Sequence, residues 1–241
     1  MKAGTLHVVG TGPGDPELLT LKAVRVLGTA PVVAFFAKRA RPGRARTVVE
    51  GFIGAGAELL RFEYPYTTEI SVDDPRYEPA LTGFYEACAA AVAARLGAGV
   101  DVALLCEGDP FFFGSSMYLF DRLRGAFPVS VVPGITAMSG CWSEAMMPMT
   151  HGDDVLTVLP GTLPEAELVR RLRDTDAAVV MKVGSNLPKI RGALEAAGLV
   201  GRARLVERGT MADARHVAVA DAGGAAPYFS LVLVPGRQRA R

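Results

Sequence analysis

Short apolar runs that end in glycine turns and restart as amphipathic runs are the feature of this chain that most restricts its fold. Residues 6–24, LHVVGTGPGDPELLTLKAV, and residues 102–120, VALLCEGDPFFFGSSMYLF, follow the same course, and both contain Gly-Asp-Pro. Each stretch is typical of a buried strand, a turn and a helix, and in the first stretch Asp15 fits the N-cap and Pro16 the first position of the helix. Because strands alternate with helices along most of the chain, we expect βαβ units and a mainly parallel sheet with both faces covered.

The alternation of strands and helices pauses once, at residues 146–154, MMPMTHGDD. A chain of 241 residues forms one large domain or two small ones. The pause therefore predicts an N-terminal α/β domain with glycine-rich turns at 1–148 and a C-terminal α/β domain at 149–241. We expect residues 227–236, PYFSLVLVPG, to be an edge strand.

Charge, hydropathy and cysteine usage exclude several classes of protein. The net charge of +1 gives no overall attraction to nucleic acid or to a membrane surface. No apolar run approaches the roughly 18 residues of a spanning helix, and the apolar start of the chain is too short for a signal peptide. The three cysteines are far apart and the three histidines are scattered, which argues against disulfides and metal clusters. We expect a cytoplasmic protein without a metal.

Three glycine turns that follow strands form a candidate ligand site: Gly10–Gly14, Gly108–Pro110 and Pro133–Gly134. In an open parallel sheet, ligands lie beyond the carboxyl ends of the strands, and glycine lets them approach the backbone. The first turn is neither the dinucleotide fingerprint nor a P-loop, and its Asp15 would repel phosphate. A neutral or cationic ligand therefore fits better than a nucleotide, although purely structural turns fit the pattern equally well.

Asp109 and the aromatic run Phe111–Phe113 each have two interpretations. Asp109 either caps the turn before the next helix or lines a pocket for a hydroxylated or cationic ligand. The three phenylalanines are more typical of a core than of an exposed aromatic shelf.

Residues 37–46, AKRARPGRAR, and His151 are also ambiguous. The basic residues either form a solvated loop or bind a polyanion, and arginine suits carboxylates because it donates two parallel hydrogen bonds. His151 is more typical of a surface linker than of an acid–base group.

The motifs GTGPGDPELLTLKA at 10–23, CEGDP at 106–110 and VPGIT at 132–136 together resemble the tetrapyrrole methylases. The resemblance implies two α/β domains with S-adenosylmethionine (SAM) in the cleft between them, and a homodimer. Further matches at 152–168, 179–190, 206–211 and 227–236 imply methyl transfer to C-20 of precorrin-2, a tetrapyrrole octacarboxylate.

The resemblance also assigns roles to individual residues. For SAM it implies Pro13, Gly108, Asp109, Phe112, Thr136, Ala137, Met181, Lys182, Gly209 and Thr210. For the tetrapyrrole it implies Asp15, and the basic run supplies Lys38, Arg39, Arg41 and Arg44. The acceptor of the C-20 proton stays open among Glu107, His151, Asp15 and water.

Other activities remain open within and outside this family. A sister enzyme would methylate cobalt-precorrin-2, another corrin position or uroporphyrinogen, or would be a diphthine synthase that acts on a protein. A nucleotide-binding regulatory module is disfavoured by the missing phosphate fingerprint. An RNA methylase is disfavoured by the near-zero net charge.

Overall fold

The computed structural model describes residues 2–67, 70 and 74–237. The chain divides into two compact units, Met1–Thr136 and Ala137–Arg241. Both are sheets covered by helices, so the expected α/β class is confirmed.

The first unit is a parallel five-stranded sheet in the order β3-β2-β4-β1-β5. Its strands are β1 Leu6–Gly10, β2 Val32–Ala37, β3 Glu58–Glu63, β4 Val102–Cys106 and β5 Val129–Val132. Its helices are α1 Leu21–Thr29, α2 Arg44–Val48, α3 Tyr77–Gly97 and α4 Ser116–Leu123. Because all five strands run the same way, the turns that follow them lie at one edge of the sheet.

Helices cover both faces of this sheet, as the unbroken apolar strands predicted. Every residue of β2 and β4 is buried. On one face α3 contributes Val92 and Leu96, and on the other α1 contributes Leu27. Strands buried on both faces have no polar side to alternate with, which explains the run Val102–Leu105.

The second unit is a mixed five-stranded sheet in the order β6-β7-β10-β8-β9. Its strands are β6 Leu156–Pro160, β7 Ala177–Met181, β8 Arg204–Glu207, β9 Arg215–Ala218 and β10 Ser230–Val234. Its helices are α5 Ala137–Glu144, α6 Glu165–Arg173 and α7 Leu187–Ala196. Among the described strands of this sheet, β6 pairs with β7 in parallel, and β10 is antiparallel to both β7 and β8.

Two local expectations are wrong. The stretch 227–236 is not an edge strand, because β10 lies between β7 and β8 and is buried along its whole length. The helix expected directly after Asp15 is a short 3₁₀ turn, Pro16–Leu18, and α1 begins only at Leu21. It begins there because the side chain of Thr20 accepts the Ala23 N–H at 3.1 Å.

Helix α5 packs with the second unit, although it precedes the predicted boundary at residue 148. Its Cys141 shares an apolar cluster with Val179, Val206 and Leu231. The division at Thr136 describes which residues pack together, and the limits 1–148 and 149–241 stay a prediction about domains. Among the described residues, no helix is long and apolar enough to cross a membrane.

Candidate functional site

The turns after β1 and β4 meet at the carboxyl edge of the first sheet. Gly12 donates its N–H to the Gly108 carbonyl at 3.3 Å, and Gly108 donates to the Gly12 carbonyl at 2.8 Å. Gly108 has a φ of 67°, which favours glycine. The N–H and the carbonyl oxygen of Gly108 already form hydrogen bonds with Gly12. A ligand would therefore contact Gly108 mainly by packing closely against its Cα.

The turn after β5 packs directly on this pair. A Cβ on Gly134 would overlap the Gly108 carbonyl oxygen, and one on Gly10 would lie 2.7 Å from the Gly134 nitrogen. Such distances are too short for non-bonded atoms, so both positions require glycine for backbone packing alone. The structural interpretation of these turns therefore holds for Gly10 and Gly134, and a ligand role is not needed to explain them.

The carboxylate of Asp109 links two of the turns. One oxygen accepts the Phe111 N–H at 2.9 Å and the other accepts the Gly134 N–H at 3.1 Å. Buried Ser116 donates its hydroxyl to the Pro110 carbonyl at 3.3 Å. The turn-cap interpretation of Asp109 is confirmed, and Asp109 and Ser116 together fix the shape of this turn.

The aromatic run after this turn is not core, contrary to expectation. Phe111 is 49% exposed and Phe113 is 46% exposed, while Phe112 is half-buried. Phe113 has a φ of 56°, which is rare for a bulky residue and often marks a functional turn. Apolar side chains are therefore presented at the candidate site.

Glu107 follows β4 and lies at the same edge. Its Oε1 accepts the Ala45 N–H at 3.3 Å. Glu107 is exposed as a residue, but partial loss of hydration at its carboxyl group raises the pKa of Glu107. Hydrogen bonds from its own N–H and from Ala45, and the charge of Arg44, oppose the rise without cancelling it.

The basic residues that follow β2 differ in their surroundings. Arg46 pairs with Glu50 at 2.8 Å, and Arg44 interacts with Glu107. Arg39 and Arg41 are exposed, and neither forms an ion pair within the part of the chain that the structure describes. Arg39 and Arg41 thus remain the best placed of the predicted cations for an anionic ligand, and Lys38 is exposed next to them.

Pro13 and Asp15 lie in the turn after β1, at this same edge. Both are half-buried. One oxygen of Asp15 accepts the Glu17 N–H at 2.9 Å, so this carboxylate caps the 3₁₀ turn. Thr136 lies beyond β5 and is also half-buried.

The second unit gathers its own candidates at one edge. Strands β6, β7 and β8 run the same way, so Gly161, Lys182 and the turn 208–210 follow strand ends on one side. A Cβ on Gly161 would lie 3.0 Å from the Met181 carbonyl oxygen, which shows close backbone packing there. Ala137, the remaining predicted SAM residue, begins α5 in this unit.

Backbone strain marks this edge. Lys182 has a φ of 55° and Thr210 a φ of 68°, and such values are outliers for a β-branched residue such as threonine. Gly209 touches α5 so closely that a Cβ would lie 2.6 Å from the Cys141 Sγ. Strain of this kind persists where the surrounding structure imposes it, often at ligand sites.

His151 lies away from these residues. It precedes β6, at the opposite edge of the second sheet, where its N–H is donated to Asp154 at 3.0 Å. Gly236, just beyond β10, donates to the Met149 carbonyl at this edge. The structure therefore does not bring His151 together with Lys182 or Thr210.

The three cysteines are buried thiols. Burial raises the pKa of Cys88 and Cys141 to about 12 and that of Cys106 to about 11, so none is a reactive thiolate near neutral pH. Among the described residues, no group of three His, Cys, Asp or Glu side chains is placed to hold a metal ion.

The chain is similar to two methyltransferases over nearly its whole length. The chain is 61% identical over 234 residues to a precorrin-2 C(20)-methyltransferase of Sinorhizobium sp, covering 97% of this chain and 96% of the relative. It is 30% identical to a cobalt-precorrin-2 C(20)-methyltransferase of Salmonella typhimurium, covering 96% of each.

A solved structure and a family model complete the comparison. The structure is uroporphyrin-III C-methyltransferase of Thermus thermophilus complexed with S-adenosylhomocysteine. It has a TM-score of 0.63 and 25% identity, with 96% of this chain and 97% of that chain covered. The model described as tetrapyrrole (corrin/porphyrin) methylases matches residues 5–224. The chain belongs to the tetrapyrrole methylases.

Proposed function

We propose that this chain is a SAM-dependent methyltransferase that methylates C-20 of precorrin-2 in cobalamin biosynthesis. The observation that carries the proposal is the 61% identity to the Sinorhizobium precorrin-2 C(20)-methyltransferase over nearly the whole of both chains. The relative named for the cobalt-loaded substrate is 30% identical. Metal-free precorrin-2 is therefore the first candidate substrate, and cobalt-precorrin-2 is the second.

The carboxyl edge of the first sheet fits a methyl donor of this kind. When bound, SAM supplies an electrophilic methyl group on a sulfonium, and it carries no phosphate for Asp15 or Asp109 to repel. The bare Cα of Gly108 leaves room for close approach, and Asp109 and Ser116 hold that turn in shape. The proposed SAM residues are Pro13, Gly108, Asp109, Phe112, Thr136, Ala137, Met181, Lys182, Gly209 and Thr210.

The carbon nucleophile belongs to the tetrapyrrole, so the protein contributes orientation and exclusion of water rather than a nucleophilic side chain. The substrate's carboxylates need cationic partners, which exposed Lys38, Arg39 and Arg41 supply, with Arg44 beside them. The C-20 proton leaves to Asp15 or to water. Asp15 supports this choice because it lies at the carboxyl edge of the first sheet, whereas the Glu107 carboxylate accepts the Ala45 N–H and His151 lies beyond the opposite edge of its own sheet.

We also propose that the chain forms a homodimer. The first unit exposes large apolar side chains, with Phe111 at 49%, Phe113 at 46% and Tyr118 at 51%. Sedimentation at micromolar concentration should give about twice the chain mass of 25.4 kDa. A single species near the chain mass across that range would contradict a dimer.

The proposed activity is tested by incubating the protein with SAM and either metal-free or cobalt-loaded precorrin-2. We expect S-adenosylhomocysteine to form in step with a singly methylated tetrapyrrole, and faster with the metal-free ring. Turnover of uroporphyrinogen but of neither precorrin-2 form would contradict the proposal.

A further inference from the structure

Helix α2 begins without a local cap. The first-turn N–H groups of a helix have no intrahelical acceptor, and a side chain just before the helix usually supplies one. Gly43 precedes α2 and has no side chain to do so. Glu107, 62 residues away in sequence, supplies the acceptor instead, because its Oε1 accepts the Ala45 N–H at 3.3 Å.

The segment just before α2 carries the exposed cations, and it is held at its other end too. The Lys38 carbonyl accepts the Arg41 N–H and the Arg61 Nη2, both at 3.1 Å. Gly43 packs so tightly that a Cβ would lie 2.6 Å from the Phe36 carbonyl oxygen. The exposed arginines therefore project from a short, anchored loop, and Glu107 provides one of its anchors.

We propose that Glu107 is a positioning residue, whose carboxylate holds the basic segment 38–46 at the carboxyl edge of the first sheet for the carboxylates of the substrate. This inference rests on the proposed function. Glu107 acts by holding Ala45 and α2 in place, and it does not contact the reacting atoms.

Glutamine at this position separates the positioning role from that of a proton acceptor. An amide oxygen still accepts the Ala45 N–H, whereas an amide cannot take the C-20 proton. Glu107→Gln should therefore keep the wild-type turnover and the wild-type Michaelis constant for the tetrapyrrole. Glu107→Ala removes the acceptor and should raise that constant about fivefold to tenfold, which is the effect of one lost hydrogen bond.

Steady-state kinetics with each substrate varied in turn gives these constants, and calorimetry gives the dissociation constant for SAM. We expect the SAM constant to change less than about twofold in both variants, since only the basic segment is released. Glu58→Ala is the matched control, because Glu58 pairs with Arg95 at 2.6 Å and begins β3 at the opposite edge of the sheet. A large loss of turnover in Glu107→Gln, or a Glu107→Ala variant that behaves like Glu58→Ala, would overturn the proposal.

Amide hydrogen exchange gives a readout that does not depend on activity. The Ala45 amide should exchange about tenfold faster in Glu107→Ala than in wild type, and at the wild-type rate in Glu107→Gln. If Glu107→Ala does not fold, Glu107→Met removes the acceptor at similar side-chain length. An Ala45 exchange rate that is the same in wild type and in Glu107→Ala would overturn the positioning role. The expected exchange rates in a protein that does not methylate precorrin-2 would overturn only the proposed function.

Discussion

The carboxylate of Asp109 accepts the Gly134 N–H at 3.1 Å and so joins the turn after β4 to the turn after β5. Its other oxygen accepts the Phe111 N–H at 2.9 Å. The sequence motifs indicate Asp109 as a ligand-binding residue, but both of its carboxylate oxygens already accept hydrogen bonds from backbone N–H groups. We therefore expect Asp109 to act on SAM binding through the shape of the two turns.

Asp109→Ala should lower the free energy of unfolding by about 1–3 kcal/mol, because two backbone N–H groups lose their acceptor. Asp109→Asn keeps one oxygen and should cost less. Urea denaturation measures both. Asp121→Ala, which breaks an exposed pair with Arg124, is the control and should cost less than about 1 kcal/mol. An Asp109→Ala variant as stable as this control would contradict the joining role.

Gly134→Ala should destabilise the protein by about 2–4 kcal/mol and weaken SAM binding, because its Cβ would overlap the Gly108 carbonyl oxygen and force the turns apart. Thermal unfolding and calorimetry test the two effects. Gly125→Ala is the matched control, since a Cβ at Gly125 meets nothing within 4 Å. Equal stability and equal SAM affinity in the two variants would refute the packing argument.

The double variant Arg39→Ala with Arg41→Ala should raise the Michaelis constant for the tetrapyrrole about fivefold to fiftyfold and leave that for SAM nearly unchanged. The two guanidinium groups are exposed, so the effect should shrink in high salt, where charges are screened within about 10 Å or less. Arg124→Ala, at the end of α4, removes a cation elsewhere and is the control. A wild-type tetrapyrrole constant in the double variant would show that the segment is only a solvated loop.

The raised pKa of Glu107 predicts a pH-dependent difference in stability. Burial lifts the folded-state pKa above its ordinary value of 4.5, so the folded state holds this proton more tightly than the unfolded state. The contribution of Glu107 to the stability of wild type therefore falls as the pH rises from 4.5 through the raised pKa, and Glu107→Gln does not share this loss. The stability of Glu107→Gln relative to wild type should increase across that window and then level off.

Denaturation of wild type and Glu107→Gln at a series of pH values measures this difference. The same substitution at Glu58 controls for removal of one carboxylate. A difference that falls as the pH rises would mean that the pKa of Glu107 is lowered in the folded state.

Thr210→Gly should stabilise the protein by about 1 kcal/mol, because glycine adopts the φ of 68° without strain. It should also weaken SAM binding if the strained turn holds the ligand as proposed. Ala40→Gly relieves a similar strain, at a φ of 55°, in the other unit and should leave SAM binding unchanged. Stabilisation of Thr210→Gly with wild-type SAM affinity would remove Thr210 from the site.

The sequence predicted the α/β class and the common edge of the glycine turns, because parallel strands bring their carboxyl ends together. It did not predict that Gly134 would pack on Gly108, since contacts between distant glycines leave no local pattern. Nor did it place β10 in the middle of its sheet, because an apolar strand gives no sign of which strands will flank it.

Glu107 and His151 show that the sequence does not predict which groups a candidate side chain contacts. Glu107 was a candidate acid–base group by position alone, and its bond to Ala45 depends on how α2 packs, which the local sequence does not show. His151 was a candidate because acidic residues adjoin it in sequence, but strand direction places it at the far edge of the second sheet. In both cases the sequence identified an ionisable side chain, but it did not identify the neighbouring groups in the folded protein.

The most direct test of the account is where the transferred methyl group goes. The protein is incubated with metal-free precorrin-2 and SAM that carries an isotopically labelled methyl group, and the product is analysed by nuclear magnetic resonance. We expect a single labelled methyl group on C-20 and an equal amount of S-adenosylhomocysteine. Label on any other carbon, or no labelled tetrapyrrole from a protein that binds SAM, would contradict the proposed function.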